Sequence, residues 1–171
     1  MSYGGNYAQI RKFDVANGFG IRVSLFVTGC THKCPGCFNA LYQDPNYGEP
    51  WTEEQTDLVI EYLKDPAVGG LTLLGGEPFQ NTWLTEVVRK AKKATGKEIW
   101  AYSGYTYEKL IEDPKRLELL KECDILIDGP FIMEKLDLRL KFRGSSNQRV
   151  IDVQETLKKG EVVELDIDNV D

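Results

Sequence analysis

The chain has 171 residues, of which 42% are hydrophobic and 28% charged, and its formal net charge is −6. This length allows one domain with a buried core, whereas the acidic balance argues against a nucleic acid or an anionic membrane as partner, because phosphate-rich surfaces select basic proteins. The sequence has neither an apolar run of about 18 residues nor a basic and then apolar leader, so we expect a cytoplasmic protein without a spanning helix. In that reducing compartment, clustered cysteines more often bind metals than form disulfides.

Strand and helix patterns alternate along the chain. Runs rich in β-branched and aromatic residues predict strands at residues 7–15, 21–27, 70–74, 98–102 and 124–128, with shorter candidates at 150–153 and 162–165. Amphipathic spacing predicts helices at residues 52–65, 83–94, 105–111 and 114–121. This alternation predicts an α/β fold with a mostly parallel sheet. We expect a single domain over residues 1–171, with its core at about 17–150, a C-terminal tail at 151–171 and a solvated, charge-rich face from residue 155 onwards.

Three of the four cysteines form the pattern C-x3-C-x2-C at Cys30, Cys34 and Cys37, directly after the second predicted strand. Thiolates this close on a loop that contains glycine and proline can converge on one metal centre. Three thiolates are one short of the four that close a structural zinc site or an ordinary four-iron cluster. The pattern therefore predicts a centre with one open position, where an external ligand can bind.

Four polar or glycine-containing turns follow the carboxyl ends of predicted parallel strands. They begin at Cys30, Gly75, Ser103 and Gly129. Carboxyl ends of parallel strands meet at one edge of a sheet, so we expect these turns to surround one pocket. The turn Gly75-Gly76-Glu77 exposes backbone amides and carbonyls beside a carboxylate, which suits a ligand with an ammonium group.

Simpler interpretations of these residues stay open. His32 or Cys123 would complete a structural zinc site, and Cys123 would also complete the four-cysteine cluster of a ferredoxin-like electron carrier. Cys123 directly precedes a predicted strand, so we place it at the opposite end of the sheet from Cys30, as a small buried residue. We expect His32, the only histidine, to be a solvated loop side chain, which makes histidine-based hydrolysis unattractive.

The cysteine motif after one strand and Gly-Gly-Glu-Pro after the next resemble the radical S-adenosylmethionine (SAM) superfamily. Within it, the chain is similar to the activating proteins of anaerobic ribonucleoside-triphosphate reductases. This narrower resemblance rests on short stretches at residues 17–22, 34–39, 102–105, 127–131 and 143–148. One departure from the broad superfamily is Gly36, where an aromatic residue is favoured, and the activating proteins instead carry the aromatic at the position of Phe38.

The resemblance implies an open, incomplete radical-SAM (β/α) barrel of about five or six mostly parallel strands. It also implies a [4Fe-4S] cluster held by Cys30, Cys34 and Cys37, with SAM on the open iron. The SAM contacts that it implies are Gly36, Cys37, Phe38, Gly75, Gly76 and Glu77. Ser103 is a further candidate contact, because its hydroxyl suits the ribose of SAM. Ser103 is equally well interpreted as a helix cap, and residues 143–148 have no role that the sequence defines.

The implied activity is that of an iron-sulfur oxidoreductase. An electron from reduced flavodoxin or a similar donor would cleave SAM to methionine and a 5′-deoxyadenosyl radical, which would take a hydrogen from a glycine of the reductase. Two alternatives remain at this stage. One is a radical SAM enzyme with another substrate, such as a different glycyl-radical enzyme, and the other is a non-enzymatic zinc or iron-sulfur protein.

Overall fold

The computed structural model describes residues 2–32, 34, 37 and 40–167. Its strands are β1 (Ser2–Asp14), β2 (Ile21–Val27), β3 (Glu49–Thr52), β4 (Val68–Gly75), β5 (Glu98–Tyr102), β6 (Ile125–Asp128) and β7 (Arg149–Asp152). Its α-helices are α1 (Glu53–Leu63), α2 (Leu84–Thr95), α3 (Tyr107–Leu110), α4 (Pro114–Lys121) and α5 (Val153–Lys159), and short 3-10 helices cover Ala40–Gln43, Pro78–Gln80 and Met133–Lys135. Among the described helices, none is long and apolar enough to cross a membrane.

The strands form one sheet in the order β3-β1-β2-β4-β5-β6-β7. The pairings from β2 through β4 and β5 to β6 are parallel, whereas β1, β3 and β7 pair antiparallel with their neighbours. The predicted α/β class is confirmed, and the sheet is mostly parallel in its middle. It has seven strands rather than five or six, and in the described part of the chain its two edge strands do not pair to close it.

The observed strands differ from the predicted ones in two places. Strand β3 was not among the predicted strands, yet it pairs with β1 and buries Trp51. The prolines and glycines of this stretch hide the strand, because a strand with Pro50 is tolerated only at a sheet edge. The strand expected at residues 162–165 reduces to a single bridge between Ile151 and Glu164.

The two faces of the sheet have different coverings, as alternation of side chains along a strand requires. Val23, Leu25 and Val27 of β2 belong to the large core formed with the helices. The intervening Ser24 and Phe26 lie on the second face, which also carries the smaller core cluster of Trp100, Ile125, Ile127, Val150 and Ile167. Burial on both faces explains the nearly continuous apolar run of β2.

The segment from residue 155 onwards is only partly the solvated face that was predicted. Lys158, Lys159 and Glu161 are exposed, but Thr156 is buried and Ile167 is part of the smaller core cluster. Charged residues alternate with these buried ones, and composition alone therefore suggested a solvated face.

The family stretch at residues 17–22 has a structural role, because its Arg22 is buried and bonds neighbouring strands. Its side chain is only 1% exposed, and its Nε donates to the Thr72 hydroxyl at 2.7 Å, which in turn donates to the backbone oxygen of Asn17. Its Nη1 lies 3.1 Å from a carboxylate oxygen of Glu98, and its Nη2 donates to the Leu71 carbonyl. Burial lowers the pKa of Arg22, and Glu98 opposes that effect.

Replacing Arg22 with leucine should lower the free energy of unfolding by about 3 kcal/mol, because the Thr72 hydroxyl and a buried carbonyl would lose their donor. Urea denaturation of the cluster-free chain measures this. Arg139, whose side chain is 90% exposed, provides the control, and its leucine variant should change stability by less than about 0.5 kcal/mol. Equal losses in the two variants would contradict the anchoring role of Arg22.

Candidate active site at the carboxyl edge of the sheet

An open cavity of about 510 Å³ lies at the carboxyl edge of the parallel strands. The predicted rim residues that border it are Cys30, Cys34, Cys37, Gly75, Gly76, Glu77, Ser103 and Gly129. Phe26, Leu74, Tyr102 and Ile127 continue the cavity along the second face of the sheet. The prediction that these turns surround one pocket is confirmed. Two predicted ligand contacts, Gly36 and Phe38, lie outside the described residues.

The cysteine loop begins at a backbone junction with the segment after it. Gly29, with φ of +95°, donates its N–H to the carbonyl of Tyr42, and the N–H of Cys30 bonds the carbonyl of Gln43 at 3.0 Å. The N–H of Cys37 donates to the carbonyl of Cys34 at 3.1 Å. All three thiols are free and partly buried.

The protonation state of the Cys30 thiol affects whether the cysteine loop can bind a metal centre. Burial raises the pKa of the Cys30 thiol to about 11, and the nearby Glu77, Cys37 and Cys34 add to the rise. A cationic iron centre would offset this cost, because thiolates are the ligating form. No group of three or more His, Cys, Asp or Glu side chains within residues 2–32, 34, 37 and 40–167 is arranged to hold a metal ion. The three thiols border one cavity, and their all-sulfur donor chemistry fits an iron-sulfur cluster.

Glu77 joins the cysteine loop to the turn after β5. Its side chain is 1% exposed, and its carboxylate accepts hydrogen bonds from Phe79 N, Ser103 Oγ and Gly104 N at 3.0, 2.9 and 2.7 Å. Nε2 of His32 lies 2.6 Å from the same carboxylate. A buried carboxylate needs such partners, so these contacts hold three segments together at the rim.

The prediction that His32 is a solvated side chain was wrong. Its side chain is only 18% exposed, since the ring contacts the Glu77 carboxylate and lies edge-on to Tyr105 at 4.4 Å between ring centroids. Gly104 makes room for it, because a Cβ there would lie 2.6 Å from the imidazole. The sequence gives no sign of this contact, which joins residues 45 positions apart.

The hydroxyl of Ser103 already has two partners. It donates to Glu77 and accepts from the N–H of Tyr105 at 3.0 Å, so it stabilises the turn after β5. The alternative that Ser103 is a helix cap is wrong, because Thr106 caps α3. The glycine turn is equally constrained. Gly75 has φ of +112°, and a Cβ on Gly76 would lie 2.7 Å from the carbonyl oxygens of Gly29 and Tyr42. Side chains are therefore excluded where the turn packs on the cysteine loop.

A buried polar pair on the second face was missed. Asp14 is 5% exposed and accepts hydrogen bonds from Ser24, Ala16 and Asn17. Burial alone would raise the pKa of Asp14, but those three hydrogen bonds outweigh it and the pKa is lowered. The hydroxyl of Tyr102 is buried without a hydrogen-bond partner in the described structure, and burial, followed by the charge of Asp14, raises its pKa. Asn17 and Tyr102 each lie in one of the family stretches, at residues 17–22 and 102–105, but nothing in the sequence indicated the burial of Asp14.

Cys123 lies where the sequence predicted. It is fully buried, directly before β6 and away from the cavity, with its thiol 3.5 Å from the carbonyl oxygen of Leu119. Burial raises the pKa of this thiol. The zinc and ferredoxin-like interpretations that needed Cys123 beside Cys30 are therefore wrong.

Comparison with known proteins agrees with this geometry. Residues 16–151 match the family described as a 4Fe-4S single cluster domain, so the class of the protein is that of single-cluster iron-sulfur domains. A Vibrio cholerae relative is 40% identical over 149 residues, covering 84% of this chain and 95% of the relative, and an Escherichia coli K12 relative is 34% identical over 151 residues, covering 85% and 97%. A relative from enterobacteria phage T4 is 39% identical over 149 residues, covering 85% and 92%.

All three relatives carry the name anaerobic ribonucleoside-triphosphate reductase-activating protein. The chain belongs to the family of anaerobic ribonucleoside-triphosphate reductase-activating proteins. The family resemblance predicted from the short motifs is confirmed.

The Glu77 contacts can be tested without a cofactor. Glu77→Gln should lower the free energy of unfolding of the cluster-free chain by about 2 kcal/mol, because the amide is uncharged and its NH2 group cannot accept from the surrounding donors. Glu86→Gln on α2, where the side chain is 63% exposed, is the matched control and should change stability little. An unchanged urea midpoint for Glu77→Gln would rule out the joining role.

The hydroxyl of Tyr102, which has no hydrogen-bond partner in the described structure, predicts a change in stability of the opposite sign. Tyr102→Phe should raise the free energy of unfolding by about 1 kcal/mol, since it removes a buried donor that has no acceptor. Tyr105→Phe should lower it, because its hydroxyl accepts a hydrogen bond from Gln80 at 3.0 Å. Thermal and urea unfolding of both variants measure the difference, and a stability loss in Tyr102→Phe would mean that its hydroxyl is partnered in solution.

Proposed function

We propose that this chain is a radical SAM oxidoreductase that generates the glycyl radical of an anaerobic ribonucleoside-triphosphate reductase. The observation that carries the proposal is the cavity itself. In a chain of this family, three partly buried thiols and the glycine turn border one space. The names of the relatives identify the reductase as the protein to be activated.

In this proposal, Cys30, Cys34 and Cys37 would hold a [4Fe-4S] cluster, and SAM would be its external ligand. When bound, the cluster would supply one-electron reduction of SAM to methionine and a 5′-deoxyadenosyl radical, and the glycine of the reductase would be the hydrogen donor. A reduced flavodoxin or similar donor supplies that electron, and the reaction takes place in the cytoplasm.

The chain itself binds and orients SAM. Gly75 and Gly76 offer backbone groups without side-chain bulk, and Glu77 fixes the position of that turn through its contacts to Ser103 and Gly104. The further SAM contacts that we propose are Gly36, Cys37 and Phe38, whereas Glu77 and Ser103, whose side chains already bond protein partners, hold the turn in place. Apolar side chains on the cavity wall reduce the access of water to the reacting atoms.

We propose further that the unclosed sheet is an incomplete radical-SAM barrel and that residues 1–171 act as one domain. A lateral opening admits an extended segment of a large partner more readily than a closed barrel would. The substrate is then a glycine presented on a loop of the reductase.

Anaerobic reconstitution tests the proposal. With iron, sulfide, dithionite and SAM, the wild-type chain should form 5′-deoxyadenosine, and with the reductase it should give the glycyl-radical doublet in electron paramagnetic resonance. Alanine at Cys30, Cys34 or Cys37 should abolish cluster binding and bring both signals to background, because each substitution removes a thiolate ligand.

Cys123→Ala is the matched control and should keep both the cluster and turnover, because that thiol is distant from the cavity. A colourless protein with one tightly bound zinc would contradict the proposed chemistry. A glycyl-radical doublet with another glycyl-radical enzyme, and none with the ribonucleotide reductase, would instead indicate that the chain activates that other enzyme.

A further inference from the structure

A segment at the cavity rim, here called the rim arm, consists of residues 130–148 between β6 and β7. Its two ends are joined at the base, where Asn147 donates to the carbonyl of Pro130 at 2.7 Å and Gln148 to that of Gly129 at 3.0 Å. Further along, Leu136 and Ser145 form a bridge, supported by the bond from Ser146 N to the Lys135 carbonyl at 2.9 Å. The rim arm is therefore a loop that is held by internal hydrogen bonds, and both of its ends lie at the cavity.

The rim arm exposes apolar side chains. Met133, Leu136 and Leu138 are 45%, 42% and 84% exposed, and they are three of the ten large hydrophobic residues that are exposed in the described part of the chain. Such a concentration within six residues marks a surface that a partner covers. Leu138 borders the cavity, whereas Met133 and Leu136 do not. A small molecule that fills the cavity would leave those two uncovered, so the partner is larger than SAM.

The charge of the rim arm is opposite to that of the chain. Its charged residues are Glu134, Lys135, Asp137, Arg139, Lys141 and Arg143, which give a net charge of +2 in a chain of −6. The Arg139 side chain is 90% exposed at its pair with Asp137. A basic and apolar surface on an acidic protein attracts an acidic and apolar one, and it excludes partners of like charge.

We propose that the rim arm is the docking surface for the glycine-bearing segment of the reductase, and that this segment carries apolar and acidic residues. The inference rests on the proposed function, because it takes the reductase as the partner. The glycine must reach the cavity, and the rim arm borders the cavity and lies beyond the space that SAM would fill. Leu138 is then the side chain that becomes buried first and most completely.

Binding and chemistry can be separated experimentally. The reconstituted wild-type chain and its Leu138→Glu variant are each titrated with the anaerobic ribonucleoside-triphosphate reductase of the same organism, and the dissociation constant is measured by fluorescence anisotropy. We expect Leu138→Glu to weaken binding by at least about tenfold, because a charge replaces an apolar contact at the centre of the interface. Because Leu138 borders the cavity, binding is separated from chemistry with Met133→Glu, at a 45% exposed rim-arm residue that does not border it. This variant should also weaken reductase binding, and its formation of 5′-deoxyadenosine without the reductase should be unchanged. Ile111→Glu, at a 41% exposed residue that does not border the cavity, is the control and should bind like the wild type.

Charge is tested with the double variant Lys135→Glu and Arg139→Glu. At low salt it should bind about tenfold more weakly than the wild type, and the difference should shrink as ionic strength rises, since salt screens exposed charges. Lys64→Glu on the helix side, where the side chain is 59% exposed, is the matched control and should bind like the wild type.

The outcomes distinguish the two proposals. Wild-type affinity of both the Leu138→Glu and the Met133→Glu variant for the reductase would overturn the docking proposal, as would a loss of 5′-deoxyadenosine formation by Met133→Glu equal to its loss of binding. Self-association of the wild type that Leu138→Glu abolishes, without any effect on reductase binding, would assign the surface to a second copy of the chain and also overturn it. Failure of the wild type to cleave SAM would instead contradict the proposed function, while weakened reductase binding by the rim-arm variants would still support this docking surface.

Discussion

The rim of this protein depends on one buried carboxylate. Glu77 is removed from water and is stabilised by the nearby N–H of Phe79 in its own turn and by two other segments, the turn after β5 and the cysteine loop through its imidazole. Burying this carboxylate without hydrogen-bond partners would lower the stability of the fold. The three segments therefore stay in contact with it. The position of the cysteine loop beside the glycine turn follows from this constraint.

The same constraint changes the interpretation of the glycine turn. The sequence suggested a carboxylate that faces the ammonium group of a ligand, whereas Glu77 is occupied by protein donors on both oxygens. The exposed backbone of Gly75 and Gly76 is then the part of the turn with room for a ligand. A turn fixed in this way orients a ligand without moving when it binds.

The sequence predicted features that depend on local pattern. Strand β2 and the position of Cys30 after it follow from an apolar run and a glycine, and the burial of Cys123 follows from strand order. Features that depend on distant contacts could not be predicted. His32 contacts a residue 45 positions away, and the buried carboxylate of Asp14 accepts a hydrogen bond from the Ser24 hydroxyl ten positions on. Alternating charges likewise concealed that Ile167 packs into the smaller core cluster.

We propose that the cavity beside Glu77 holds an iron-sulfur cluster with an iron open to SAM. Electron-nuclear double resonance of the reduced, reconstituted protein with SAM labelled by nitrogen-15 at its amino group tests it most directly. We expect a nitrogen-15 coupling to the cluster and a changed cluster spectrum on addition of SAM. An unchanged spectrum without nitrogen coupling, at a SAM concentration that saturates binding, would contradict the account.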